Sequence, residues 1–344
     1  MNRNAPKPRR VTITDVACAA GVSTATVSNA LTGTRPVDAG TRRRVDRAVE
    51  ELGYVVNAAA RRFRTGRANA IAVLSSMPAP VAAGPARLGF LMEVAAAAAE
   101  AALHHGLALV LVPPVPDAQA LLRDTGIDGA LLIEPAADDP FLDVLAKRRV
   151  PTVSIGDPGP AVLPFIDLDY VGVADMLVGH LAGIGARRFP LIVGASARAS
   201  HAAFEACYRA HADRTGMQAI VRRLDEAEGE AGAFAATRDL LGTHPDIDAI
   251  LAPVDAFASG ALRAAQAAGR RVPEDLAIAT RYDGPRAREA RPPLTAVDLR
   301  LARVARLAID RLILEIAGAS GPSRVAGPGA RLVARASTEG SGTG

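Results

Sequence analysis

Val11-Thr-Ile-Thr-Asp-Val-Ala17 and Ala20-Gly-Val-Ser-Thr-Ala-Thr-Val-Ser28 are two short stretches of helical apolar spacing that meet at one glycine. Thr12 and Asp15, three residues apart, form a reciprocal capping pair that starts a helix running to about Ala20, with Ile13, Val16, Ala17 and Ala20 on one face. Gly21 supplies the left-handed backbone of a tight turn, and Val22 fills the angle between the two helices. Ser23 caps a second helix, Thr24 to Leu31, whose Val27 and Leu31 face inward. Its outward residues Thr24, Ala25, Ser28 and Asn29 are small or polar, as a helix entering a DNA groove about 12 Å wide requires. A third segment, Asp38 to Leu52, places Val45, Ala48, Val49 and Leu52 at helical spacing and closes a three-helix core. This is a helix-turn-helix unit, and its expected partner is double-stranded DNA.

Working outward, charge supports that partner. Residues 1–67 hold 13 Lys/Arg against 5 Asp/Glu, leaving 27 and 31 of the chain's 40 and 36 for the remainder. A basic head on a slightly acidic body suits a polyanion-binding head, although a solvated Arg-rich surface gives the same numbers. After Tyr54 comes Asn57-Ala-Ala-Ala-Arg-Arg-Phe63-Arg64, a short basic segment with one apolar residue. Two readings of it stand: a marginal helix that forms against DNA and inserts Phe63 as a minor-groove wedge, or a charged linker whose Phe63 packs on the next domain.

From Asn69 onward, apolar runs (Ala70–Leu74, Leu107–Val112, Gly129–Ile133, Thr152–Ile155, Leu191–Val193, Ala249–Leu251, Leu276–Thr280) alternate with Ala-rich helical stretches. These include Phe90–His105, Val171–Ile184, Ala202–Thr215, Ala231–Leu241 and Ala256–Ala268. The alternation predicts parallel sheets flanked by helices, and the length suits two such lobes with a ligand between them at the carboxyl ends of strands.

The residues exclude other classes. There is no apolar run of about 20 residues and no signal core behind the basic start, so the expectation is a cytoplasmic, nucleoid-associated protein with no membrane partner. Cys18 and Cys207 lack metal spacing, and the six histidines form no H-E-x-x-H pattern. With no G-x-S-x-G, P-loop or dinucleotide fingerprint, neither an enzyme nor a cofactor is expected, and no metal site. A transport-type solute-binding protein would suit the body but not the basic head.

Val-Thr-Ile-Thr-Asp-Val-Ala, Gly-Val-Ser-Thr-Ala-Thr-Val-Ser, Thr41-Arg-Arg-Arg-Val45, Glu51-Leu-Gly-Tyr54 and Asn57 stand in an order that resembles the lactose/galactose-repressor (LacI/GalR) family. Asp128-Gly-Ala-Leu-Leu, Val254-Asp-Ala-Phe-Ala-Ser-Gly260, Val272-Pro-Glu-Asp-Leu276, Tyr282-Asp283, Pro292-Pro-Leu-Thr-Ala-Val297 and Arg331-Leu-Val-Ala-Arg-Ala-Ser-Thr338 extend the resemblance through the body. The resemblance implies an all-α helix-turn-helix headpiece with a hinge helix, followed by a two-lobed α/β effector domain of the periplasmic-binding-protein type. The expected organisation is a basic arm 1–10, DNA-binding domain 11–56, hinge 57–68, effector and dimerisation domain 69–338, and tail 339–344.

By the same resemblance, Thr24, Ala25 and Asn29 read bases and Ser23, Thr26 and Ser28 meet phosphates; Thr12, Asn57, Ala60, Phe63 and Arg64 complete the DNA-contacting set. A homodimer would meet a pseudopalindromic operator, and the tail carries no heptads for a larger coiled-coil assembly. A small-molecule effector, a sugar or a related compound, would meet Phe90 as apolar platform and Asp255 and Asp283 as carboxylates, with Asp169, Arg198 and Ser200 as further candidates. Helix capping or a loop hydrogen bond is the competing reading of the three aspartates. Some positions depart from the family pattern. Val56 and Phe63 replace a proline and a leucine, and Leu88-Gly89 replaces Asn-Pro. Ala186 stands where a histidine is customary, and Arg281 where a glycine is. Ser200 aligns with a ligand-clamping arginine, two residues after Arg198, and Ser lacks the bidentate geometry of a guanidinium. An operator-binding regulator whose cleft takes no small molecule is therefore an alternative.

Overall fold

The computed structural model describes residues 11–33, 35–54, 67–82, 89–112, 120, 122 and 125–339. The chain divides into two compact units, residues 1–68 and 69–344.

In the first unit α1 (Ile13–Ala20), α2 (Thr24–Thr32) and α3 (Ala39–Leu52) enclose a small core of Val16, Ala17, Ala20, Val27, Ala30, Val45 and Ala48. The capping box at Thr12 is complete: its backbone N–H donates to Asp15 Oδ2 at 2.8 Å while its hydroxyl accepts from the Asp15 amide. Gly21 sits at φ 64°, so the turn between α1 and α2 needs a residue without Cβ strain. Arg42 and Arg44 of α3 donate to the carbonyls of Ala30 (2.9 Å) and Ala20 (3.3 Å). Each cation thus meets orphan carbonyls at the negative end of a neighbouring helix.

The second unit holds two six-stranded sheets. The first has the order β11 (Arg324–Ala326), β5 (Phe165–Asp167), β4 (Thr152–Ile155), β3 (Gly129–Ile133), β1 (Ala70–Leu74), β2 (Ala108–Val112). The second repeats the pattern with β12 (Arg331–Val333), β10 (Thr295–Asp298), β9 (Ala277–Tyr282), β8 (Ala249–Leu251), β6 (Leu191–Gly194), β7 (Val221–Leu224). Between them run α4 (Ala79–Ala82), α5 (Phe90–His104), α6 (Pro140–Lys147), α7 (Tyr170–Gly183), α8 (Ala199–Thr215), α9 (Gly229–Thr243), α10 (Asp255–Ala267), α11 (Pro285–Glu289) and α12 (Leu301–Ile316). Every residue of β3 and β9 is buried, as parallel strands covered on both faces must be.

Two features differ from the sequence expectation. The short strands β5, β7, β10, β11 and β12 are absent from the apolar runs named above; unlike the equally short β4 and β8, they lie at or next to a sheet edge. In β7, Arg222 and Arg223 are exposed, which blunts an edge. The second sheet is not wholly parallel either, since β12 pairs antiparallel with β10.

Strands β1–β5 and β11 build one lobe and β6–β10 and β12 the other, so the chain passes between lobes near Leu168, Leu299 and Gly327. The first two crossings share the pattern Asp-Leu-X: Asp167-Leu-Asp169 and Asp298-Leu-Arg300. In both, the first aspartate accepts from the amide two residues on (2.9 and 2.8 Å), and the third residue takes a left-handed φ (49° and 52°) before a helix. At the third crossing Gly327 donates to the Asp167 carbonyl at 2.9 Å, where a Cβ would lie 2.4 Å from that oxygen. The first and third crossings are therefore tied to each other by a backbone hydrogen bond.

Candidate functional site

The first candidate surface is α2. Thr24 and Ala25 are exposed, Ser28 and Asn29 half-buried, and Val27 and Ala30 lock the opposite face into the core. Ser23 fixes the start of the helix by accepting from the Thr26 amide at 3.1 Å, while its hydroxyl lies 2.9 Å from that of Thr26. The helix therefore presents short side chains from a rigid frame. The hinge candidates Asn57, Ala60, Phe63 and Arg64 lie outside the described residues.

The second is the cleft between the lobes of the second unit. In both sheets the strand order reverses beside the first strand, between β1 and β3 and between β6 and β8, and the chain emerging from those carboxyl ends forms the cleft walls. Glu134 follows β3 directly, Arg198 and Ser200 follow β6, Asp255 follows β8, and Arg281 and Tyr282 end β9. Together with Phe90 at the start of α5 they line a cavity of about 30 Å³.

A buried ion pair crosses this cavity. Arg281 Nη1 and Nη2 donate to Glu134 Oε1 and Oε2, both at 2.8 Å. Burial by itself would raise the Glu134 pKa, but the charge and hydrogen bonds of Arg281, with Arg198 and His201 beyond, hold it below its ordinary value. The same pairing raises Arg281 against its own burial. The guanidinium lies 5.7 Å from the ring centroids of both Phe90 and Tyr170. Phe90 also meets Tyr282 edge to face at 5.4 Å. Glu134 itself has φ 43°, a left-handed conformation that costs a non-glycine residue roughly 1–2 kcal/mol and that the surroundings must impose.

The other charges are also matched. Arg198 donates to the Glu134 carbonyl and to Ser76 Oγ (3.2 Å), and lies 3.8 Å from Glu226. Glu226 accepts from Ser196 and lies 3.6 Å from His201. Burial lowers the His201 pKa despite that carboxylate. Gly194 makes this cluster possible, since a Cβ there would fall 2.2 Å from the His201 ring and 2.7 Å from Glu226. Asp255 accepts from Arg286 at 3.1 and 3.2 Å, yet burial leaves its pKa raised.

Of the residues expected at an effector, Phe90, Arg198, Ser200 and Asp255 share the cavity wall. Two others lie outside it. Asp169 caps α7, accepting from the Gly172 amide at 3.1 Å, and belongs to the lobe crossing, outside this cavity. Asp283, just beyond the end of β9, is not in the wall: it pairs with Arg335 at 2.7 Å and Arg288 at 3.4 Å. Glu134, His201, Glu226 and Tyr282 were not anticipated, and Arg281 entered only as a departure. A carboxylate placed directly after the unbroken apolar run Gly129–Ile133 was the available signal for Glu134, by the strand-end rule. Among the described residues no cluster of His, Cys, Asp or Glu is arranged to hold a metal, and no helix is long and apolar enough to cross a membrane.

Residues 12–57 match the model for bacterial regulatory proteins of the lacI family, and residues 178–338 match that for a periplasmic binding protein-like domain. The chain is 33% identical over 323 residues to the HTH-type transcriptional regulator CelR of Thermobifida fusca, covering 88% of this chain and 92% of that one. It is 29% identical over 324 residues to the ribose operon repressor of Escherichia coli K12, covering 89% and 93%. Among solved structures, the transcriptional regulator CelR–cellobiose complex aligns with a TM-score of 0.70 at 29% identity, over 95% of this chain and all of that one. The lac repressor dimer bound to operator and the anti-inducer ONPF aligns with a TM-score of 0.81 at 25% identity, over 96% and 99%. Identity of one third over an alignment that spans about nine-tenths of both chains means that the chain belongs to the lacI family of bacterial regulatory proteins and is a DNA-binding transcriptional regulator with an effector-binding domain.

Proposed function

We propose that this regulator is a repressor that binds a pseudopalindromic operator as a homodimer and responds to a small polyhydroxylated effector in the inter-lobe cleft. The observation that carries the effector reading is the convergence, at the strand-order reversals of both sheets, of an aromatic face (Phe90) with carboxylates and guanidinium groups from both lobes. Hydroxyl-rich ligands are recognised by such sets, ring face against aromatic and hydroxyls against paired charged groups. A relative of this chain has been solved with cellobiose, which supports the ligand class.

In this reading Thr24, Ala25 and Asn29 meet base edges, and Thr12, Ser23, Thr26 and Ser28 meet the backbone. Asn57, Ala60, Phe63 and Arg64 enter the minor groove. Ligand binding biases the lobe arrangement, and only differential affinity for two arrangements transmits a signal. A second reading, regulation without a small molecule, is favoured by the charge pair in the cleft, in which Glu134 and Arg281 already bind each other. Fluorescence anisotropy with the chain's own upstream DNA, titrated with mono- and disaccharides and polyols, separates the readings. A compound that changes specific operator affinity supports the first. Specific binding that no compound alters supports the second, and salt-sensitive binding without sequence preference overturns both.

A further inference from the structure

We propose that Arg281 is a tethered occupant of the cleft: its guanidinium takes the position against Phe90 and Glu134 that a small molecule would take, and clasps the two lobes together. The inference deepens the effector reading and rests on it for its regulatory meaning, but the clasp itself is a property of the chain.

The argument begins with which lobe owns each group. Glu134 and Phe90 come from the first lobe, Arg281 and Tyr170 from the second. Among the described residues, Glu134–Arg281 is the one carboxylate–guanidinium pair that joins the lobes. It is bidentate and buried, with side-chain exposures of 2% and 11%, so water competes little for either partner.

Weaker bonds surround it and share its direction. Arg198 reaches the Glu134 carbonyl and Ser76, and the Ala137 amide donates to the Ala197 carbonyl at 2.8 Å. Tyr282 Oη donates to Glu93 Oε2 at 2.6 Å, and Arg286 to the Pro80 carbonyl at 2.7 Å. All of these join one lobe to the other. The left-handed backbone of Glu134 is the strain that accompanies aiming its carboxylate at Arg281.

The consequence is steric as well as electrostatic. The Arg281 guanidinium lies over the Phe90 ring and so covers the aromatic face on which a sugar ring would stack. An effector must first part the Glu134–Arg281 pair, and its apparent affinity falls by the fraction of molecules already parted. Arg281 thereby sets a threshold for what the cleft accepts.

Hydrogen exchange of the full-length protein, read by mass spectrometry, tests the clasp without any ligand. The Ala137 amide reports closure because its acceptor lies on the other lobe, while the Leu251 amide, bonded to the Pro190 carbonyl at 3.0 Å, reports the integrity of the second lobe. In the unliganded wild type, Ala137 is expected to be protected. Arg281→Ala and the shape-preserving Glu134→Gln should each exchange at least tenfold faster at Ala137 with Leu251 unchanged. The charge-swapped pair Glu134→Arg with Arg281→Glu should recover part of the protection. Equal Ala137 exchange in wild type and both single variants, with Leu251 still protected, would overturn the proposal. If Arg281→Ala loses Leu251 protection as well, Glu134→Gln alone decides. Failure of the effector reading has a separate signature: no compound alters operator binding by wild type or Arg281→Ala, whatever Ala137 does.

Discussion

Gly260 lies in α10, five residues beyond Asp255, where α10 packs against α9. A Cβ built there would sit 2.3 Å from the Glu230 carbonyl oxygen, 2.9 Å from Ala233 Cβ and 3.0 Å from the Phe234 amide nitrogen. Two of these atoms are backbone, so no rotamer change relieves the contact. Bringing 2.3 Å out to an ordinary 3.4 Å requires one helix to move by about 1 Å. Overpacking of this kind costs about 1–3 kcal/mol, with the upper end apt here. Replacing a helical glycine returns about 1 kcal/mol of conformational entropy and propensity. The clash wins: Gly260→Ala should destabilise the second unit by about 2 kcal/mol, lowering Tm by roughly 4–8 °C at 2–4 °C per kcal/mol. Gly179 is the control. It lies in α7, a Cβ there meets nothing within 4 Å, and Gly179→Ala should raise Tm by about 2 °C. Differential scanning calorimetry of the full chain measures both. A rise in Tm for Gly260→Ala matching that for Gly179→Ala would refute the reasoning, because it would show that the helices are not in contact at that glycine. The same displacement would carry the start of α10 away from Arg286, so the Asp255–Arg286 pair links this packing to the cleft.

Three further outcomes are expected. Thr12→Ala removes the hydroxyl half of the capping box, while the backbone amide at position 12 still donates to Asp15, and should lower the stability of the first unit by about 1 kcal/mol, read as faster exchange of the Val16 amide that bonds to the Thr12 carbonyl. Asn29→Ala should weaken specific operator binding by about 10-fold or more while leaving the slope of affinity against salt unchanged; a changed slope with unchanged sequence preference would assign Asn29 to phosphate instead. His180, His201 and His211 all have pKa values lowered from 6.5, chiefly by burial. The unfolded chain therefore binds more protons than the folded one as pH falls through 6.5. Stability is thus at its full value above that pH and declines toward the lowered folded values, giving a lower Tm at pH 5.5 than at 7.5. His201→Gln should flatten the profile, and an unchanged slope would show that its burial carries no linkage.

The first unit was legible almost residue by residue. A capping pair, a left-handed glycine and apolar spacing at three and four are local signals, and Thr12–Asp15, Gly21 and Val27 perform in the structure the roles their spacing implies. The alternation of buried strands and Ala-rich helices likewise announced the second unit, since strands covered on both faces must be continuously apolar. What stayed hidden was of two kinds. Strands such as β7 and β11 are short, and their residues answer to solvent and edge pairing instead of a core, so they carry no periodic signature.

The cleft was the other. Asp169, Asp255 and Asp283 look alike along the chain, each close to the junction of a strand and a helix, yet one caps a helix at a lobe crossing, one faces the cavity and one pairs outside it. Their fates depend on which strand ends face each other across the lobes, and sequence distance says nothing about that. Glu134 and Arg281 lie 147 residues apart, and only the folding of two repeated sheets against each other brings them to 2.8 Å. Local backbone preferences and apolar periodicity are written in neighbouring residues, so the chain alone determined that this protein has a DNA-reading helix and a two-lobed body. Desolvation and charge pairing act between residues remote in sequence, so the tertiary structure alone decided which charges occupy the cleft and which of them pair there.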